Sequence, residues 1–194
     1  FQERIFLDSL RNTLYYTIAA VLLNVVISLT LAIIINQKNR LVNFYRVVYF
    51  LPVVTSTAAT SMIWKWLYQP NRGLLNYALS LVGLGPYNWL TDPRLAMPSI
   101  VIMSVWKGLG FNMVIFLTGL QGISETYYEA ADMDGATRWE KFRYITLPLL
   151  TPITLFTFVT SVIGSFQVFT QIYLLTSGGP MNATRTLVYT LYER

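Results

Sequence analysis

The chain is 194 residues long, 54 % hydrophobic and only 12 % charged, and its 14 Lys and Arg against 9 Asp and Glu leave a formal charge of +5. Charges that cluster between long uncharged stretches exclude an ordinary soluble domain, and the absence of Cys and His excludes disulfides, thiol chemistry and the commonest metal ligands. So small a positive excess fits Lys and Arg flanking membrane segments better than affinity for nucleic acid.

Phe1 in place of Met, and an apolar stretch still open at Arg194, lead to the expectation of a piece of a longer subunit, without its first and last membrane helices. Nothing at the amino terminus reads as a cleavable signal. A helix needs about 20 apolar residues to cross the hydrocarbon core. Segments 14–35, 47–66, 97–120 and 147–176 reach that length, and residue 187 opens another. In the first segment Thr17, Ala20, Asn24 and Ser28 share a face. The following loop carries Lys38, Arg40 and Arg46, and the second segment contains Pro52, tolerable where neighbouring helices satisfy the freed carbonyl. Residues 67–96 are rich in Pro, Gly and Asn, with Tyr77, Tyr87 and Trp89 as anchors and a short helix expected near 74–81.

The third segment places Ser104, Gly108, Asn112 and Gly119 on one face and holds Lys107 roughly ten positions from either end, where a lysine costs about 2.5–3.5 kcal/mol on insertion. Lys107 is expected to meet water, a carbonyl, an acid on another helix, or a polar or anionic solute. Gly108 and Gly110 are expected to loosen the helix beside it. In the fourth segment Thr160, Gly164, Gln167 and Gln171 fall within about 60° of one another. Its 30 residues carry no charge and exceed a perpendicular span, so it is expected to tilt or project. Small and amide side chains also hold membrane helices together, so each polar stripe suits either a solute path or a helix contact.

If the segments alternate, loops 37–46 and 122–146 share one face, and 70–95 and 177–186 the other. Lys38, Arg40, Arg46, Arg138, Lys141 and Arg143 make the first face cytoplasmic by the positive-inside rule, against Lys65, Arg72, Arg94 and Arg185 on the far side. Tyr45 and Tyr49 at one boundary, with Trp64, Trp66 and Tyr68 at the other, suit interfacial aromatic belts.

Local chemistry predicts a hairpin of two short helices over 122–146. Thr126-x-x-Glu129 and Thr137-x-x-Glu140 are two capping boxes that start them, and Gly135 can end the first in a left-handed conformation. Glu129, Asp132 and Asp134 put acid on the first helix; Arg138, Lys141 and Arg143 put base on the second; Tyr127, Tyr128 and Met133 leave an apolar surface. Pro148 falls where the second helix meets the membrane segment.

Glu129, Ala130, Ala131 and Gly135, followed after nine residues by Ile145, Leu147 and Pro148, reproduce the pattern EAA-x3-G-x9-I-x-L-P. On these residues the chain resembles the permease subunits of binding-protein-dependent ABC importers. Ser124 stands where many relatives carry proline. Further blocks in family order are Ser9 to Leu14, Tyr45-Arg46 with Phe50-Leu51-Pro52, Trp64 to Tyr68, Gly73 to Asn76, Asn88-Trp89-Leu90 and Leu175 to Pro180. Together they resemble the carbohydrate-uptake branch, the maltose and glycerol 3-phosphate permeases.

The resemblance implies an all-α polytopic membrane helix bundle, a type I importer transmembrane domain, in a prokaryotic cytoplasmic (inner) membrane. It implies that Tyr127, Tyr128, Glu129, Ala130, Ala131, Asp132, Asp134 and Gly135 form a coupling helix seated on an ATP-binding subunit. The implied partners are a homologous permease, as hetero- or homodimer, two ATP-binding subunits, and an extracellular or periplasmic solute-binding protein. Tyr77, Tyr87 and Trp89, with Gly178, Gly179 and Pro180, would form the platform for that binding protein. Lys107, Gly108, Asn112, Gln167, Gln171 and Asn24 are the candidates for the substrate pathway. Sugars suit a path of amides and aromatic rings, because hydroxyls need paired hydrogen bonds.

The chain contains no G-x-x-x-x-G-K-[ST] loop and no H-E-x-x-H site. It is therefore expected to be a transport subunit and not an enzyme, binding no cofactor itself, with ATP and Mg used by the partner. The same machine carrying a polyamine is disfavoured by the sugar-branch blocks. An ion-coupled secondary transporter is disfavoured because none of the nine Asp and Glu lies well inside a predicted span.

Overall fold

The computed structural model describes residues 2–36 and 42–193, and every regular element among them is a helix. Lys38 and Arg40 of the charge count lie outside the described residues, as does the side chain of Arg46. Helix α1 (Gln2–Asn36) is a single 35-residue rod, about 52 Å long at 1.5 Å per residue. α2 (Val42–Val54) and α3 (Thr57–Leu67) follow, then the short α4 (Leu74–Ser80) and the long α5 (Ala96–Gln121). The hairpin comprises α6 (Glu125–Met133) and α7 (Arg138–Lys141), which passes through a π-turn at Phe142–Thr146 into α8 (Leu147–Leu149). α9 (Thr151–Phe166), α10 (Thr170–Leu175) and α11 (Leu187–Tyr192) complete the chain.

Among the described residues α1 and α5 are each long and apolar enough to cross a membrane, and two bent pairs reach that length jointly. α1 and α5 run parallel, since Asn24 and Ser28 donate to the carbonyls of Val105 and Leu109, four residues on in each helix. α2 and α9 flank them in the opposite sense. The apolar core is in two parts. Tyr16, Ile100, Met103 and Ile172 centre one cluster towards the α4 end, and Ala32, Phe116, Leu117 and Leu150 centre the other towards the hairpin. Asn24, Ser28, Lys107 and Asn112 lie between the two.

Segment 47–66 is not one straight span. α2 and α3 meet at 105° across 55–56. Pro52 lacks the N–H of a continuing helix, Thr55 Oγ1 donates to the Pro52 carbonyl at 2.7 Å, and Ser56 is extended at φ −57°, ψ 135°. Segment 147–176 also breaks, so its excess length goes into a bend and a second helix instead of a longer rod. The helix carrying Arg138–Leu149 turns by 63° into α9, where Pro148 and Pro152 remove two ladder donors, and α9 stops at Phe166 before α10 resumes. The carbonyl freed at Val168 receives Thr186 Oγ1 at 3.4 Å.

Of the aromatic residues expected in a belt, Tyr68 is instead 2 % exposed. Its hydroxyl donates to the Ser99 carbonyl at 2.8 Å and its ring packs between Trp64 and Trp89. An internal acceptor removes the need for interfacial water.

Candidate functional site

The polar stripes of α1, α5 and α9 meet around a cleft of about 300 Å³, whose lining includes Asn24, Lys107, Gly108, Asn112 and Gln171. Three of the cleft's polar side chains, Asn24, Asn112 and Ser161, are cross-linked, and Ser28 joins them from outside the lining. Asn112 Nδ2 donates to Asn24 Oδ1 at 2.6 Å and to Ser161 Oγ at 3.1 Å, Asn24 Nδ2 donates to Val105 O at 3.1 Å, and Ser28 Oγ donates to Asn24 Oδ1 at 3.2 Å. Asn24 and Asn112 are both buried, so they hold helices together while their amides border the cleft. Gln167 does not join them; it is exposed at the C-terminal cap of α9, where the break turns it outward.

Lys107 makes no ion pair with any described residue. Its Nζ donates to Thr55 O at 2.7 Å and Pro52 O at 3.2 Å. These are carbonyls left over at the C-terminal end of α2, where a cation also offsets the helix dipole. The lysine therefore clamps the α2–α3 bend.

Gly108 and Gly110 do not loosen α5, which is unbroken. They make room: a Cβ at Gly110 would lie 1.9 Å from Tyr49 O, and one at Gly108 would lie 2.6 Å from Asn24 Nδ2. Gly119 likewise fits against Ile153 of α9, outside the cleft. Sequence inspection missed Ser161, which lies one position beyond the stripe residue Thr160, and Tyr16 and Phe111, the aromatic walls. Tyr16 was within reach, being one turn before Ala20 on the same face. A larger groove of about 880 Å³ lies at the hairpin's root between α5, Tyr127 and Ile153. Apart from the hydroxyls of Thr118, Ser124 and Tyr127 its side chains are apolar, so it suits a polar solute less well.

The hairpin is held by local bonds. Ser124, not Thr126, caps α6: its Oγ accepts from Thr126 N, and residues 125–126 are already helical. Serine is as good an N-cap as threonine, and starting earlier places Glu125 in the first turn at the positive end of the dipole. Gly135 has φ +76°. Its N–H bonds to Asp132 O at 3.1 Å and that of Ala136 bonds to Ala131 O at 2.9 Å, the two bonds of a Schellman stop. Thr137 and Glu140 form the full capping box of α7. The Thr137 N–H and hydroxyl, each 2.7 Å from Glu140 Oε2, hold that carboxyl below the usual carboxylate range. Lys141 pairs with Asp132 at 2.5 Å across the turn, and Tyr128 OH lies 2.9 Å from Thr146 Oγ1. Tyr127, Glu129, Ala130, Asp132, Asp134 and Gly135 are exposed, Tyr128 and Ala131 half-buried. Met133 is 90 % exposed and Trp139 and Tyr144 are also bare.

At the other end, Asn76, named from the sequence only as part of the block Gly73 to Asn76, organises the loop. Buried, it donates to Pro70 O and Tyr87 O and accepts from Tyr87 N and Trp89 Nε1. Trp89 thus points inward, whereas Tyr77 is exposed and Tyr87 partly so. Gly178 is buried at φ +76°, with the Tyr189 ring 2.7 Å from where a Cβ would stand. Gly179 O accepts from Thr184 Oγ1 and Pro180 O from Ala183 N. Asn12 of α1 ties this loop down through the carbonyls of Asn182 and Arg185.

A family model described as "binding-protein-dependent transport system inner membrane component" matches residues 24–193. The chain is 38 % identical to a protein of Pyrococcus horikoshii named as a probable ABC transporter permease, covering 98 % of this chain and 66 % of that protein. It is 37 % identical to the lactose transport system permease protein LacF of Rhizobium radiobacter, covering 98 % and 65 %. It therefore spans just under two thirds of the length of these curated relatives. The fold superposes with TM-score 0.86 and 27 % identity on a chain of a bacterial alginate ABC transporter in complex with alginate pentasaccharide-bound periplasmic protein, covering 97 % of this chain and 66 % of that one.

Proposed function

The chain belongs to the family of binding-protein-dependent transport-system inner-membrane components, and from that membership we propose that it is a membrane-spanning subunit of an ATP-driven sugar importer. The solute is a sugar or related polar compound handed over by a solute-binding protein at the α4 end and released into the cytoplasm by alternating access. The partners are a homologous permease, two ATP-binding subunits that use ATP and Mg, and the binding protein. Lactose and an alginate oligosaccharide in the names of similar proteins support the solute class, as do the amides and hydroxyls of the cleft.

The observation that carries this proposal is the hairpin's connection to the cleft. α6 follows α5 directly, and α7 continues through the π-turn and α8 into α9. α5 and α9 are the walls that meet at Asn112 and Ser161. A rigid hairpin gripped by an ATP-binding subunit would therefore move both walls at once. Its exposed face combines Met133, Tyr127 and Trp139 with acidic side chains, suiting a partner cleft that is apolar with a basic rim.

Glu129→Lys and Gly135→Pro test this. Proline cannot adopt φ +76° and lacks the N–H that closes the turn. Both variants are expected to insert normally yet to uncouple ATP hydrolysis from uptake in proteoliposomes. Uptake at the wild-type rate in both would refute the docking role.

A further inference from the structure

We propose that the cleft selects solutes bearing a carboxylate or a phosphate, and that Lys107 is the residue that selects them; the inference rests on the cleft being the solute's path. Among the described residues the lining holds one Lys and no Asp or Glu, and the ion pairs present, Lys141 with Asp132 and Arg185 with Glu193, lie elsewhere. The remaining polar groups, such as Asn24, Asn112, Ser161 and Gln171, are neutral. Amides and hydroxyls would suffice for a neutral sugar.

A lysine in mid-span adds only charge to that set. The Pro52 and Thr55 carbonyls orient its ammonium, but a helix C-terminus amounts to about half an elementary negative charge, so positive potential is left over. Nζ has three donors, and the two carbonyls take two. The third is free for a solute oxygen, and an anion there is attracted more strongly than in bulk water because the surroundings are poorly polarisable. A sugar acid and a sugar phosphate share this chemistry.

The test uses the purified complex of both permeases and the ATP-binding subunits in detergent, without binding protein. Equilibrium binding is measured for a labelled uronic acid trisaccharide, its carboxyl-reduced neutral counterpart and a hexose 6-phosphate. At least one acidic probe is expected to bind roughly tenfold or more tightly than the neutral one, with a preference that shrinks at high salt. Which acidic probe is preferred separates the two sources. Lys107→Gln is expected to abolish the preference and Lys107→Arg to retain it, with assembly of both checked by size exclusion because Lys107 also holds the bend. Equal binding of neutral and acidic probes, or a preference that survives Lys107→Gln, overturns the proposal alone. No binding of any probe to a complex that still hydrolyses ATP overturns the cleft as the solute's path as well.

Discussion

The hairpin and the cleft are built on opposite principles. In the hairpin the deciding bonds join residues two to eighteen positions apart, such as Ser124 with Thr126, Thr137 with Glu140, Lys141 with Asp132 and Tyr128 with Thr146. In the cleft the bonds between helices join residues 49 to 88 apart, such as Asn112 with Ser161 and with Asn24. A module closed by local bonds can move as one body. A site assembled from distant segments changes shape whenever those segments shift, and this division of labour suits a lever attached to a gate.

The contrast is broken most severely at Gly110, because backbone fills the space a side chain would need. Gly110→Val is expected to push α2 off α5 and prevent assembly, while Gly110→Ala costs about 1–3 kcal/mol, seen as lower thermal stability in detergent. A tolerated valine would mean that α2 and α5 do not pack closely. Asn112→Leu comes next. It strips Asn24 Oδ1 and Ser161 Oγ of a donor, for roughly 1–2 kcal/mol, and is expected to weaken solute binding in the surviving complexes. Full affinity per assembled complex would reduce Asn112 to a helix contact.

The smallest effect belongs to the hairpin. Thr137→Ala removes one cap, worth about 1 kcal/mol, and is expected to increase amide exchange in α7 without altering solute affinity. The same box gives a pH dependence. Glu140 is held below its ordinary value of 4.5 when folded, so its contribution is complete above that pH and fades as pH falls through the lowered folded value. Protection of the α7 amides, taken relative to their intrinsic exchange rates, that stays flat between pH 6 and the acid range would contradict the box.

The same division explains what could be read in advance. Apolar length marked the long helices, and cap chemistry marked the hairpin down to Gly135 and the Thr137 box. The first cap slipped from Thr126 to Ser124 because two adequate caps lie two residues apart and the helix gains by starting earlier. The break at 55–56 was invisible despite Pro52, because part of what stabilises it is Lys107, 52 residues away from Thr55. Polar stripes were visible in α1, α5 and α9, but periodicity does not show where a helix stops, and Gln167 fell on the wrong side of such a stop. Glycines beside Lys107 suggested flexibility, whereas the backbone of Tyr49 and the amide of Asn24 claim their space.

The chain has no Cys, so Ala131→Cys would give it a single thiol, half-buried on α6. In the assembled complex that thiol is expected to cross-link to an ATP-binding subunit carrying cysteines along its docking cleft, and to stay shielded from impermeant reagents added outside intact cells. Capture of no ATP-binding subunit, or labelling of this position from outside, would contradict the proposal that the hairpin is the drive point for transport.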